Sequence, residues 1–166
     1  VAGSATGRIE PGTRGAAVEV AAPAESGPWR AAIRVEAASS VLQETVDVQP
    51  ADGDALGPLM LFRATPSPRS PIVATVDPLF RRTERAHAEW TVAAGVTAGD
   101  VQVRLLDRNG TALAVPVTVG DRRDSIPRMT ADVNLAPLTE GDYVLELTVR
   151  AAGNERRRLV PIRVTR

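Results

Sequence analysis

Apolar and polar residues alternate along most of the chain from Thr83 onward, and this period-two pattern constrains the fold more than any other feature. In a β-strand, alternation places one set of side chains on each face, so residues 86–92 predict a half-buried strand. One face of that strand carries four apolar residues: Ala86, Ala88, Trp90 and Val92. His87 and Glu89 point to the opposite face. Five further segments predict strands, namely 101–105, 113–119, 129–135, 143–149 and 160–164.

Six short strands separated by Gly, Asp, Asn and Pro predict an all-β fold. Their spacing is typical of an antiparallel immunoglobulin-like or fibronectin-III-like β-sandwich. We assign this sandwich to residues 77–166, about 90 residues and near the ~100 of an immunoglobulin domain.

The N-terminal part carries four weaker strand patterns, at 18–20, 29–35, 46–48 and 59–62. They form either one sheet of a second small sandwich or part of a larger unit with the C-terminal sheet. We predict two β modules in tandem. Residues 1–15 are then a flexible arm, and residues 16–76 an N-terminal β module that ends in a Pro-rich connector.

Two local motifs and two tryptophans predict structural roles. Asn109 and Gly110 favour a type I′ hairpin turn, which explains this Asn-Gly-Thr better than a glycosylation site does. Tyr143 begins a strand just after a Gly turn, the position of a tyrosine corner. Trp29 and Trp90 lie on apolar strand faces and are expected to anchor their strands.

The composition excludes several kinds of chemistry. The 166 residues include no Cys and no Lys, and all twenty basic residues are arginines. Disulfides, Schiff-base lysines, P-loops and Lys–Asn isopeptide bonds are therefore excluded. The net charge is zero, which argues against a nucleic-acid partner, since nucleic acids select a clustered positive excess.

The sequence predicts neither an enzyme nor a cofactor. His87 is the only histidine, and its place in the alternation predicts an exposed or edge position opposite Trp90. The chain has no Gly-x-Ser-x-Gly, His-Glu-x-x-His or Gly-rich phosphate loop. We therefore expect no catalytic residues.

No metal site is predicted either. The weak calcium candidates are Asp52 and Asp54 in one loop, and Asp121 and Asp124 in a predicted turn over residues 120–124. Calcium needs six or more oxygen ligands, and the arginines within the second turn oppose a cation. The arginine clusters at 81–82, 122–123 and 156–158 are expected to pair with the acids that flank them.

The chain begins without Met or a signal-peptide pattern, and no apolar run approaches the roughly 18–20 residues that span a bilayer. We expect a fragment of a longer protein that does not span the membrane. An exported origin is compatible with the lack of Cys.

Three segments carry a family resemblance: residues 77–85, 104–110 and 135–143. They resemble the C-terminal part of bacterial von Willebrand factor A-related exported proteins, in which an A domain precedes an immunoglobulin-like β-sandwich. The likeness covers residues 58–166. The Asp-x-Ser-x-Ser motif of the A domain's metal-dependent adhesion site is absent, so no adhesion residue carries over. The resemblance implies an extracellular or periplasmic, non-catalytic accessory or spacer module.

We therefore expect a structural or interaction module that binds a protein partner, or itself, through sheet edges. Residues 1–15 are a candidate donor arm, with Val18 and Val20 beginning the donated strand. The alternative is a carbohydrate- or cell-wall-binding module, for which Phe62 and Phe80 are the candidate aromatic platforms.

Overall fold

The computed structural model describes residues 3–11, 16, 18, 20, 28–48, 56–65, 67, 72–123, 127–151 and 153–166. The chain divides into two compact units, of which one contains residues 18–53 and the other residues 54–166. The described residues confirm an all-β fold with three sheets.

The first unit contains one long β-hairpin. Its strands are β1 (Trp29–Ala37) and β2 (Ser40–Val48), joined by a two-residue connection. They pair antiparallel in a register that runs from Trp29 opposite Val48 to Ala37 opposite Ser40. Apolar residues recur at every second position of β1 and at most of the facing positions of β2, so one face of the hairpin is mostly apolar, although Glu44 lies on it opposite Ile33.

The second unit contains two sheets. The five-stranded sheet consists of β3 (Leu56–Ala64), β4 (Val73–Ala74), β6 (Arg85–Val92), β8 (Val117–Arg123) and β9 (Pro127–Asn134), in the order β4-β3-β6-β9-β8. The four-stranded sheet consists of β5 (Leu79–Arg81), β7 (Val101–Leu106), β10 (Gly141–Ala151) and β11 (Asn154–Thr165), in the order β5-β11-β10-β7. All pairs are antiparallel except β5 with β11. A short 3-10 helix, Ala98–Asp100, precedes β7.

Both sheets contribute to one hydrophobic core, an arrangement consistent with a β-sandwich. Trp90 is 0% exposed and lies opposite Leu59 on β3 and Met129 on β9. The four-stranded sheet contributes a matching set of buried side chains to the same core: Val103, Leu105, Leu145, Leu147, Val149, Ile162 and Val164. The predicted inward face of each of these strands is confirmed.

The structure differs from the prediction after β7. Residues 113–116 belong to no strand, and β8 begins only at Val117, where it pairs with β9 in the other sheet. One isolated bridge, between Leu106 and Ala112, joins this segment to β7, and Pro116, just before β8, lacks the N–H that a ladder requires. The alternate side chains from Leu113 to Val119 still pack against the core, as the alternation predicts.

The turn after β7 also differs from the predicted type I′ hairpin. The Gly110 N–H donates to the Asp107 carbonyl at 3.0 Å, so the central residues are Arg108 and Asn109. The Asp107 carboxylate accepts from the backbone N–H groups of Asn109 and Thr111, both at 2.8 Å. These two hydrogen bonds favour a turn that is followed by a residue with positive φ. Gly110 is that residue, with a φ of +82°.

The N-terminal strands are distributed between the two units. Strand β3 lies within residues 16–76, yet it pairs with β6 in the five-stranded sheet. Val18 and Val20 belong to no strand and are about half exposed, while Glu19 and most of the Pro-rich connector lie outside the described residues. Residues 3–10 of the predicted arm are exposed and belong to no helix or strand.

Tyr143 makes the hydrogen bond predicted for a tyrosine corner. Its hydroxyl donates to the Thr139 carbonyl at 2.9 Å, and its ring is buried in the core. This bond ties the connection before β10 to the strand that follows.

Replacing Tyr143 by phenylalanine will lower the free energy of unfolding by about 1 kcal/mol, because the part-buried hydrogen bond to the Thr139 carbonyl is lost while the ring stays in place. Urea denaturation followed by circular dichroism measures this loss. Thr139→Ala keeps the carbonyl and serves as the control. If both variants lost the same amount, the backbone hydrogen bond would not be the cause.

Candidate functional site

His87 lies on a central strand, so the prediction of an exposed or edge histidine is wrong. Strand β6 runs between β3 and β9, and the His87 side chain is only 11% exposed. Its Nε2 lies 3.2 Å from Glu89 Oε1, and its Nδ1 lies 3.2 Å from Asp132 Oδ1. The Phe62 ring packs edge-on against the imidazole, with centroids 5.9 Å apart. These contacts engage both ring nitrogens and fix the orientation of the ring.

Glu89 joins the same group, which we call the β6 cluster: His87, Glu89, Arg122, Arg128 and Asp132. Glu89 is 1% exposed although it points away from the core. The guanidinium of Arg122 lies 3.1 Å from Oε1 and that of Arg128 lies 3.5 Å from Oε2. A buried carboxylate is tolerated only when such partners compensate its charge. The cluster therefore holds β6, β8 and β9 together on the outer face of their sheet.

The other sheet carries a second buried carboxylate on its outer face. Glu146 on β10 is 1% exposed and lies between Arg104 of β7 and Arg157 of β11. Arg104 Nε donates to Glu146 Oε2 at 2.7 Å. The register places Arg104 directly opposite Glu146, so this pair could have been found from the sequence once the pairing of β7 with β10 was known.

The arginine clusters therefore make contacts that their sequence neighbours do not predict. Arg122 and Arg157 contact buried acids on other strands, and the guanidinium of Arg158 donates to the Gly57 carbonyl at 2.6 Å. Arg122 lies in β8, so the predicted turn over residues 120–124 is a strand as far as residue 123. Arginine suits these contacts, because its apolar stem can lie along the sheet while its charged head reaches a group on another strand.

One exposed ion pair has a clear electrostatic signature. Arg163 Nε and Nη2 donate to the two carboxylate oxygens of Asp142 at 2.5 and 2.9 Å. The hydrogen bond from Arg163 lowers the pKa of Asp142 below its usual value, and the same bond raises the pKa of Arg163. Both side chains are solvent-exposed, so this pair links β10 to β11 at the surface.

Neither phenylalanine is an aromatic platform, so that prediction is wrong. Phe62 is 8% exposed because it packs against His87, and Phe80 is 1% exposed because the pairing of β5 with β11 directs it into the core. Arg63 covers the Phe80 ring, with the guanidinium carbon 5.9 Å from the ring centroid.

The metal candidates find no support within the described part of the chain. Asp52, Asp54 and Asp124 lie outside it, and Asp121 belongs to β8. Across the residues that are described, no three or more His, Cys, Asp or Glu side chains are grouped to hold a metal ion. The same residues contain no helix long and apolar enough to cross a membrane.

The hairpin exposes several large apolar side chains on one face. We call the hairpin face the five residues Ile33, Val35, Leu42, Val46 and Val48, which share one side of β1 and β2. Each is 37–63% exposed. Trp29 and Ala31, at one end of the same face, are half-buried. A two-stranded hairpin is marginally stable in water, so this face favours a contact with further chain.

The opposite side of the hairpin is charged. Arg30 Nε lies 3.0 Å from Asp47 Oδ1 across the strands, and Arg34 Nε lies 2.5 Å from Glu36 Oε1 along β1. All four side chains are more than half exposed. The hairpin is therefore amphipathic, and its register is set by the apolar pattern. The sequence pattern predicted strands at 29–35 and 46–48 with Trp29 as an anchor, whereas the structure extends both strands and leaves most of their apolar face exposed.

Comparisons with protein-family models, with curated proteins and with solved structures found no match to this chain.

Proposed function

We propose that the chain is a non-catalytic, exported interaction module in which an immunoglobulin-like sandwich accompanies a hairpin that binds another protein chain. The observation that carries this proposal is the hairpin face, five exposed aliphatic side chains that share one side of a two-stranded sheet and flank Glu44. Contiguous exposed apolar surface of this kind marks interaction sites. Open strand edges add main-chain hydrogen-bonding groups to it.

The strand order supports the immunoglobulin-like part of the proposal. If β3, β6, β9 and β8 are lettered A, B, E and D, and β7, β10 and β11 are lettered C, F and G, the orders ABED and CFG of a constant-type domain result. Tyr143 then stands near the start of strand F, with its hydroxyl bonded back to Thr139, as in a tyrosine corner.

The exported setting rests on the resemblance of residues 77–85, 104–110 and 135–143 to von Willebrand factor A-related exported proteins. The absence of Cys is compatible with it. The carbohydrate-binding alternative has lost the two residues on which it depended, because Phe62 and Phe80 are buried.

A photo-crosslinking amino acid in place of Ile33 tests the proposal. Ile33 lies at the centre of β1 on the hairpin face, whereas Gln43 lies on the charged side of β2 and provides the matched control. Irradiation of folded full-length chain in the producing cells is expected to give protein adducts from position 33 and few from position 43. Mass spectrometry then identifies the attached chain.

Two results would contradict the proposal. Glycan adducts from position 33 would favour the carbohydrate-binding alternative. No adduct from position 33, with circular dichroism showing a folded chain, would mean that the hairpin face contacts no other protein.

A further inference from the structure

One edge of strand β1 is occupied by no described strand. Within the described residues β1 pairs only with β2, and the main-chain groups on its other side have no partner among them. None of its nine residues is Gly or Pro, so each alternate residue whose backbone groups point away from β2 can contribute both an N–H and a C=O to a new ladder. Such an edge accepts a further strand unless charge or shape opposes it.

We propose that this edge pairs with β1 of a second copy of the chain, antiparallel and about a two-fold axis at Ile33. The inference rests on the proposed function and names its partner and register. Pairing joins two hairpins into a four-stranded sheet in the order β2-β1-β1-β2. Three or more strands with an apolar face are what an independently stable sheet needs, which a single hairpin does not provide.

Charge complementarity along β1 carries the proposal. With Ile33 opposite Ile33 of the second copy, Arg30 lies opposite Glu36 of that copy, and the symmetry repeats this pair on the other side of the axis. Opposite charges directly across an antiparallel pair stabilise it. Ala31 then lies opposite Val35, so the apolar residues of both copies share one face.

The neighbouring registers are opposed by charge. Moving the axis one residue back, to Ala32, places Arg30 opposite Arg34, and moving it one residue forward places Arg34 opposite Arg34. Like charges directly opposite are destabilising. A slip that brings an odd-numbered residue opposite an even-numbered one sets the apolar face of one copy against the charged face of the other.

The outer edge of β2 is a poorer choice for self-pairing. The symmetric register about its central residue places Glu44 opposite Glu44 of the second copy and gives no compensating pair, since Asp47 then faces Val41. On the edge of β1, by contrast, the Arg30 side chain is 74% exposed and already lies beside Asp47. Glu36 of the second copy then gives Arg30 a second acidic neighbour, so the charges alternate in sign across the strands.

Charge reversal with complementation tests the register. In Arg30→Glu, position 30 lies opposite Glu36 of an identical copy, and both are acidic. In Glu36→Arg, both opposed residues are basic. Mixing the two variants restores opposite charges at both symmetric positions, so the mixture also controls for misfolding of either variant.

Sedimentation velocity of the full-length chain over a concentration series measures the dimer. We expect a concentration-dependent dimer in the wild type, and a dissociation constant about tenfold higher for either variant alone, since two opposed pairs change sign. The equimolar mixture is expected to return to within about threefold of the wild type. Glu155→Arg, the same charge reversal at an exposed position of β11, should leave the dimer unchanged.

Two outcomes overturn the inference. A wild-type chain that stays monomeric throughout the series excludes self-pairing, and a mixture that associates no better than its components excludes this register. If the chain is monomeric but position 33 still crosslinks to another protein, the proposed function stands and only the self-pairing falls.

Discussion

Replacing Trp90 by alanine will lower the free energy of unfolding of the larger unit by about 3–5 kcal/mol. The indole is completely buried between Leu59 and Met129 of the neighbouring strands and faces the core shared by the two sheets. Removing it leaves a cavity that rigid strands on both sides cannot close. Guanidinium denaturation followed by far-ultraviolet circular dichroism measures the loss without relying on tryptophan fluorescence.

Two further variants isolate the cause. Trp90→Phe should cost less than Trp90→Ala, because an aromatic ring remains and because the indole Nε1 is buried without a hydrogen-bond partner. Trp29→Ala, in the hairpin, should leave the unfolding transition of the larger unit in place. A loss below about 1 kcal/mol for Trp90→Ala would mean that β6 presents its other face to the core.

The inward face of β6 could be predicted from sequence because period-two parity is a property of the backbone: once Trp90 is inside, Ala86 and Ala88 are inside too. The burial of Glu89 could not be predicted in the same way. It depends on Arg122 and Arg128, which lie 33 and 39 residues away along the chain and reach Glu89 only after β8 and β9 have paired. From the sequence alone, an outward-pointing acid is expected to be exposed to solvent, because its cross-strand neighbours are not known.

The same limit explains the path after β7. Alternation from Leu113 to Val119 identifies which side chains approach the core, and they do. It does not identify the sheet, because both sheets face the same core and present the same pattern. The hairpin shows the reverse of Glu89. The apolar side of β1 and β2 has the pattern of a core face, and yet it is exposed.

Replacing Glu89 by glutamine will lower the free energy of unfolding by about 3–5 kcal/mol, comparable to the loss of a core side chain. The change keeps the shape but removes the charge that compensates the arginines. Arg122 is 47% exposed at its side chain and can turn toward water, whereas Arg128 is 11% exposed and loses the carboxylate charge beside it. The cost therefore comes chiefly from Arg128.

The matched control is Glu155→Gln, which removes a carboxylate from an exposed pair with Arg150, at 2.7 Å. Surface pairs contribute about 0–1 kcal/mol, so this variant should unfold nearly as the wild type does. The double variant with Glu89→Gln and Arg128→Met should recover at least half of the loss, because a buried guanidinium then no longer lies beside a neutral amide. Equal losses for Glu89→Gln and Glu155→Gln would show instead that water reaches the β6 cluster and that its arginines do not seal the outer face of the sheet.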